Sequence, residues 1–399
     1  MRELWRSINA SNALKEGTID ERSNGMNRKI FVAVIAAAML MGSAVAALAN
    51  DSHGKAMEGA VYAMTNADDG NQVVVFDRDR NGLLTLAGAV STEGLGSGGD
   101  LDALGSQGSL VLTKDHKWLL AVNAGSNDIS VFGVKRDGLA LVHKVDSGGE
   151  FPVSLTVFRN LVYVLNAKGD PNITGFYLSH RGRLILRSHS TRDLGTGGFA
   201  QVGFDPQGDN LVVTDRDDNE ILVFRLGWYD LPAKEPVTTM SNGIAPFGFI
   251  FDKKGNLLVS EAGSGAVSSY DIKRDGSLRL ISPSVENGQV ATCWIAANDR
   301  GYVFTANTGS QTISAYTLVA GNHWHWNKQF GSGRIELLDA TAGFGNRPID
   351  ISVNGRYLYA LDPASGTIDM FEIESDGSLT DLGTVAGGLS IFAQGIVAR

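Results

Sequence analysis

The sequence predicts an all-β fold, a seven-bladed β-propeller closed by its C-terminal strand, and three observations carry the prediction. The first is composition: 49 glycines stand against 9 prolines, and 43% of residues are hydrophobic. That balance favours many short strands joined by tight turns. The second is an internal repeat. A β-rich run ending in a polar residue, a short turn, a second run, a turn and a third run recur seven times, beginning at Val61, Leu119, Leu161, Asn210, Leu257, Gly301 and Tyr357. The polar residues closing the first run are Asn66, Asn123, Asn166, Asp215, Glu261, Asn307 and Asp362. They recur roughly every 49 residues, the period of a four-stranded propeller blade. The third is an imbalance at the ends.

Most copies are preceded by a further run ending in a Gly-containing turn, as in "GFDPQGDN", "IFDKKGN" and "ISVNGRY". Each unit therefore has four strands, A to D. The first copy lacks strand A, and the chain ends on an orphan run, "LSIFAQGIVAR", after the seventh. The orphan supplies the missing strand and leaves no unpaired sheet edge inside the ring.

Ahead of the repeats, Asn27-Arg28-Lys29 precedes an uncharged run from Ile30 to Ala49, with small-residue cleavage sites at Ala44–Ala46 and Ala47–Ala49. Basic, apolar and small segments in that order spell a secretory signal starting at Met26. The expected organisation is an upstream extension over 1–25, a signal peptide over 26–49 and one propeller domain over 50–399. The protein is then periplasmic or secreted, with no membrane contact after cleavage.

Residues 1–49 hold 6 of the 34 basic and 4 of the 43 acidic residues, so their removal takes the net charge from −9 to −11. An acidic chain without basic clusters argues against nucleic acid and anionic membrane as partners. The sequence names no protein partner. The one cysteine, Cys293 in "VATCWIA", reads as a small core residue.

Alternating strand directions put the ends of B, the B–C turns and the starts of A on one face, here the top. On it fall the seven B-end residues, together with Arg347, Asp350 and Gln394 from the starts of A. Asx residues at strand ends begin turns, which explains most of that ring. Glu261 is a poor turn former and so becomes the candidate base; Arg347, in "GNRPID", is the candidate cation for a carboxylate or an oxyanion. Asn123, Asn166, Asp215, Asn307, Asp350, Asp362 and Gln394 are the candidate substrate-binding residues. A Gly-rich connection, "TEGLGSGGDLDALGSQGS" from Thr92, lies on the same face and is placed to act as a lid.

The opposite rim carries the C–D turns, short and ending in Gly in five units. In unit four the turn becomes "LGWYDLPAKEP", and in unit six it becomes "VAGNHWHWNKQFGSGR". His323 and His325 therefore sit on a bottom hairpin, and two imidazoles without a third ligand do not make a zinc site. None of the seven histidines maps to the top face, which leaves a Ser-His-Asp triad unsupported. There is no Walker loop, no dinucleotide fingerprint and no CxxC, and "DRDDNE" at Asp215–Glu220 lacks EF-hand spacing. Neither cofactor nor metal is expected.

The units "GSQGSLVLTKDHKWLLAVNAGSNDISVFGV", "LVYVLNAKGDPNITGFYL" and "GNRPIDISVNGRYLYALDPASGTIDMF" resemble the seven-bladed propellers grouped with 6-phosphogluconolactonase and 3-carboxymuconate cyclase. The resemblance covers residues 59–399. It implies hydrolysis or closure of a small lactone at the top of the channel, with Glu261 of "LVSEAG" in the position of the family's catalytic glutamate. The family's preceding Gly-Pro-Arg-His motif reads "GIAPFG" here, at Gly243–Gly248. Two functions therefore stand side by side: an exported lactone-handling enzyme, and a non-catalytic propeller that binds a small ligand, peptide or protein.

Overall fold

A computed structural model describes residues 58–320 and 331–399. The expected extension, the signal peptide and the His323–His325 hairpin tip lie outside those residues. Among the described residues no helix is long and apolar enough to cross a membrane.

Seven antiparallel sheets follow one another along the chain, each in the strand order A-B-C-D. In blade two the strands are Leu110–Leu112, Trp118–Asn123, Asp128–Lys135 and Gly138–Asp146. Strands B and C are almost wholly buried, as in Leu119–Asn123 and Asp128–Gly133. Both faces of a blade are covered by its neighbours, so these strands are continuous apolar runs of β-branched and aromatic residues rather than alternating ones. Strand D is the outer edge and reverts to exposure, as Leu84–Ser91 shows.

Blade one closes the ring. The last strand, Ile396–Ala398, pairs antiparallel with Gly59–Met64, with Val61 opposite Ala398 and Ala63 opposite Ile396. Ala60 and Arg399 exchange backbone hydrogen bonds of 3.2 and 2.8 Å. Ile396 N–H donates to Asp350 Oδ2 at 3.3 Å and Ala398 N–H to Ser352 Oγ at 3.0 Å, tying the C-terminal strand to blade seven as well. The closed ring lies wholly within residues 59–398.

The short C–D turns behave as their glycines require. Gly82, Gly182, Gly276 and Gly377 have φ between 77 and 92°, and Gly138 has φ 128°. A Cβ on Gly82 would come within 2.3 Å of the Tyr357 ring in blade seven. The bare turn thus packs directly on the next blade's aromatic.

Two features differ from the plain four-strand unit. In blade three the outer strand is broken into Leu184–Leu186 and Arg192–Asp193, both paired with Asn172–Leu178. In blades three to seven strand A carries a register shift near its top, at Pro152/Ser154, Phe199/Gln201, Pro246/Phe249, Thr292/Trp294 and Ile349/Ile351. An inserted residue bends each strand there and re-aims its side chains where the inner strands converge.

Candidate functional site

The B-end residues do converge on the top face, but each turns into its own blade. Asn66, Asn123, Asn166, Glu261 and Asn307 are fully buried, and Asp215 and Asp362 nearly so. Four of them receive the connection that leads from strand D to the next strand A. Asn66 Oδ1 accepts from Ser97 N–H at 2.9 Å, and Asp215 Oδ1 from Gly198 N–H at 2.9 Å. Glu261 Oε1 accepts from Gly243 N–H at 2.7 Å, and Asp362 Oδ2 from Asn346 N–H. Asn166 donates to the Ser147 carbonyl at 3.3 Å. Asn123 and Asn307 bond Ser130 and Ser314 of their own blades, and each also accepts from a second asparagine, Asn71 of blade one at 2.9 Å and Asn287 of the connection from blade five at 3.1 Å. In six of the seven blades this residue latches a connection between blades at the top.

Glu261 is the most heavily engaged of the seven. Besides Gly243 N–H, its Oε1 accepts from Ser241 Oγ at 3.0 Å and Ser268 Oγ at 2.6 Å, while Oε2 accepts from Ser284 Oγ at 2.6 Å. Its carboxylate is held between strands B, C and D of blade five, and no part of the residue is exposed. Arg347 is partly exposed at the top of blade seven, with φ 73°, and makes no hydrogen bond or ion pair among the described residues. These two candidates belong to different blades, and the structure gives no contact between them.

The centre of the top face is occupied instead by the Gly-rich connection. Gln394, fully buried, donates to Asp102 Oδ1 at 2.9 Å and the Ser106 carbonyl at 2.8 Å, and accepts from Leu104 N–H at 3.1 Å. Trp294 of blade six donates to the same Ser106 carbonyl at 2.9 Å. Gln107 reaches across the ring to exchange two bonds with the Ile295 backbone, 2.9 and 3.0 Å. Arg216, just after strand B of blade four, donates to the Gly105 carbonyl and lies over the Phe247 ring. Phe247 in turn meets Trp294 edge-on at 5.2 Å. Residues 102–107 are thus pinned by blades one, four and six.

That segment brings Asp102 within electrostatic reach of Asp350, Arg216 and Cys293. Burial lifts the Asp102 carboxyl to about 7, opposed by the Arg216 charge and the Gln394 bond. Burial likewise lifts Asp350 to about 7, and the Asp102 charge adds to the rise. Asp102 is partly accessible to solvent, while Asp350 is buried. The Cys293 thiol is pushed well up by burial and packs in the apolar core, so it is a poor nucleophile. Among the described residues no three His, Cys, Asp or Glu side chains come together as a metal site.

Sequence reasoning placed Asp350 and Gln394 here and missed Asp102, Gln107, Arg216 and Trp294. The available signal was the length and glycine content of the 92–109 connection. Its path across the ring depends on partners about 100 to 290 residues away, which no local pattern encodes.

A second carboxyl pair stands at the rim of blade seven. Asp369 is buried, its Oδ2 has no hydrogen-bond partner, and burial with the nearby Asp362 and Asp381 charges pushes it up to about 7. In blades two, five and six the residue seven places after the B-end is a serine that bonds it: Ser130, Ser268 and Ser314. A carboxyl raised above its unfolded value binds more protons when folded, so its stabilisation is full below about 4 and lost as pH rises through about 7. Asp102, Asp350 and Asp369 share that sign. The expected result is a melting temperature that falls from pH 5 to pH 8. Asp369→Asn should raise it at pH 8 and leave it nearly unchanged at pH 5; equal slopes for parent and variant would contradict the assignment.

No protein-family model matches the chain, and no curated protein sequence matches it. Solved structures do. A periplasmic gluconolactonase of Pseudomonas aeruginosa superposes with a TM-score of 0.64 at 15% identity, covering 84% of this chain and 98% of that one. A candidate 6-phosphogluconolactonase of Bacteroides fragilis gives 0.63 at 19% identity, covering 84% and 97%. A Lactobacillus plantarum protein gives 0.65 at 14%, covering 86% and 99%. The likeness is one of fold. The chain shares the seven-bladed propeller of lactonase-like proteins over nearly their whole length, and its chemistry has to be argued from its own residues.

Proposed function

We propose that the top mouth of the ring takes a small lactone and hydrolyses it, with Asp102 and Asp350 as the acid–base pair and Arg216 as the cation for the oxyanion. The observation that supports this most directly is the Asp102 carboxyl, lifted to about 7 beside a second carboxyl at about 7 and within reach of a guanidinium, on a residue that is itself partly exposed at the mouth. A base poised near neutral pH is what abstraction of a proton from water needs. Water adds to the lactone carbonyl as one carboxylate takes its proton, and Arg216 steadies the negative oxygen. The ring C–O bond then breaks, and the other carboxyl protonates the departing alkoxide to give a hydroxy acid. Arg347, on the same face and without an ion-pair partner among the described residues, is available to hold a substrate carboxylate or hydroxyl at the rim. The shared fold with a periplasmic gluconolactonase lends support, as does the apolar run at Ile30–Ala49 to an exported protein.

A second reading has an observation of its own. Gln394, Trp294 and Gln107 hold residues 102–107 firmly across the mouth, a geometry suited to a ligand-binding propeller without turnover. The test is proton release by the chain from Asn50 onward over unphosphorylated five- and six-membered lactones. Turnover that drops by about 10²–10⁴ in Asp102→Asn and persists in Glu261→Gln is the expected result. No release above background moves the protein to the second reading, and full activity in Asp102→Asn removes the assigned base.

A further inference from the structure

The acidic average conceals a local concentration of positive charge. Ser179–Arg192, the C–D turn and outer strand of blade three, contains Arg181, Arg183, Arg187 and Arg192, with His180 and His189 and no Asp or Glu. Large apolar side chains are exposed on the same segment: Ile185 is 57% and Leu186 58% exposed.

Blade four brings aromatics to the same place. Its long C–D connection makes a tight turn at Trp228–Asp230, where Tyr229 and Asp230 have φ 65 and 53°. Trp228 is 90% and Tyr229 83% exposed, the largest such values among the exposed hydrophobics. The loop is fixed rather than trailing. A bridge joins Leu226 to Pro232, and Arg192 Nε donates to the Pro232 and Ala233 carbonyls at 3.0 and 2.7 Å. The charges of Arg187, Arg192 and Asp230 all reach the Tyr163 hydroxyl, so the loop stands against blade three's outer strands. Arg187 itself is nine-tenths buried, lies over the Tyr177 ring at 4.8 Å, and its Nη1 has no hydrogen-bond partner.

We propose that this outer edge of blades three and four docks on an anionic lipid bilayer, with Trp228, Tyr229, Ile185 and Leu186 entering the interface and the exposed Arg181 and Arg183 meeting headgroup phosphates, while Arg187 and Arg192 brace the edge from within. Trp and Tyr favour the headgroup level, where a ring is half wet and half apolar, and arginine pairs with phosphate through its fork of donors. A segment with four arginines and no carboxylate, on a chain of net charge −9, also favours one orientation of the molecule against an anionic surface. The proposal is independent of the lactone reading, because Arg181, Arg183, Trp228 and Tyr229 belong to the C–D connections, on the rim opposite the channel mouth.

The test is co-sedimentation of the chain from Asn50 onward with vesicles of phosphatidylglycerol and phosphatidylcholine, and with pure phosphatidylcholine. Binding to the first and not the second is expected, weakening by about tenfold or more in Arg181→Glu/Arg183→Glu at low salt. Trp228→Ala/Tyr229→Ala should lose binding that salt cannot restore. All four positions are exposed, so unchanged melting curves will certify folding. Equal binding to both vesicles, no binding, or binding indifferent to both variants overturns the proposal. A concentration-dependent dimer dissolved by the same substitutions overturns it in favour of a second copy of the chain.

Discussion

Ending the chain at Gly395 should destroy the cooperative melting of the ring or lower its midpoint by tens of degrees. The four missing residues are the inner strand of blade one and its last hydrogen-bonding partner, Arg399. Ile396 and Ala398 are buried, at 5% and 8% exposure, and the strand is bonded on one side to Gly59–Met64 and on the other to Asp350 and Ser352. Arg78 would also lose the Arg399 carbonyl, which its guanidinium contacts at 3.2 and 3.3 Å. Burial of these side chains and several backbone bonds together contribute roughly 5–10 kcal/mol. That is about the whole stability of an ordinary domain. Circular dichroism against temperature for the shortened and full rings decides the matter; matching transitions would show that blade one stands without its inner strand.

Glu261→Ala is expected to cost about 3–5 kcal/mol, because four donors around one buried carboxylate lose their acceptor together. Ser241, Gly243 N–H and Ser268 converge on Oε1, and Ser284 meets Oε2. Glu261→Gln keeps an acceptor for the first three, and the Ser284 hydroxyl can reverse and accept from the new amide. A latch therefore predicts a large loss for Ala and a small one for Gln. A catalytic base predicts the reverse emphasis, with Gln as inactive as Ala and both well folded. Melting curves and lactone assays on the same two proteins separate the roles. A Gln variant as unstable as Ala would mean that the negative charge, rather than the acceptor, holds blade five together.

The ring was legible because its cause is periodic. Seven runs of Val, Ile, Leu and Tyr ending in Asn, Asp or Glu mark the strand-B ends, and the orphan Ile396–Ala398 announced closure. The fate of the polar ends was legible only in part. Their shared position follows from the repeat, but whether a side chain faces the channel or its own blade depends on donors such as Ser268 and Ser284, seven and twenty-three residues further on. Glu261 stands out among asparagines in the sequence, yet its extra methylene serves to reach across to strand D. Asp102 was hidden for the opposite reason. Nothing around it is periodic, and its setting is supplied by Gln394 and Arg216 from distant blades. A net charge of −9 is true of the whole chain and says nothing of Ser179–Arg192.

The latches at the strand-B ends divide the molecule into a conservative half and a permissive one. The top crossovers are bonded to buried strand-end residues, so lengthening or exchanging one would break a buried contact, whereas the hairpin tips at the other rim are exposed and are tied to a neighbouring blade only at particular carbonyls, such as those of Arg80, Gly82 and Ser375. The chain already displays that freedom: four residues in most blades, eleven between Leu226 and Pro236 in blade four, and a still longer excursion in blade six. Extra length in an exposed hairpin costs little, since closure entropy grows only slowly with loop size. Insertions, tags or grafted binding loops placed at Gly138, where a Cβ would meet no other atom within 4 Å, should therefore leave the ring intact, and a lineage could acquire new partners on that rim without disturbing whatever happens at the mouth.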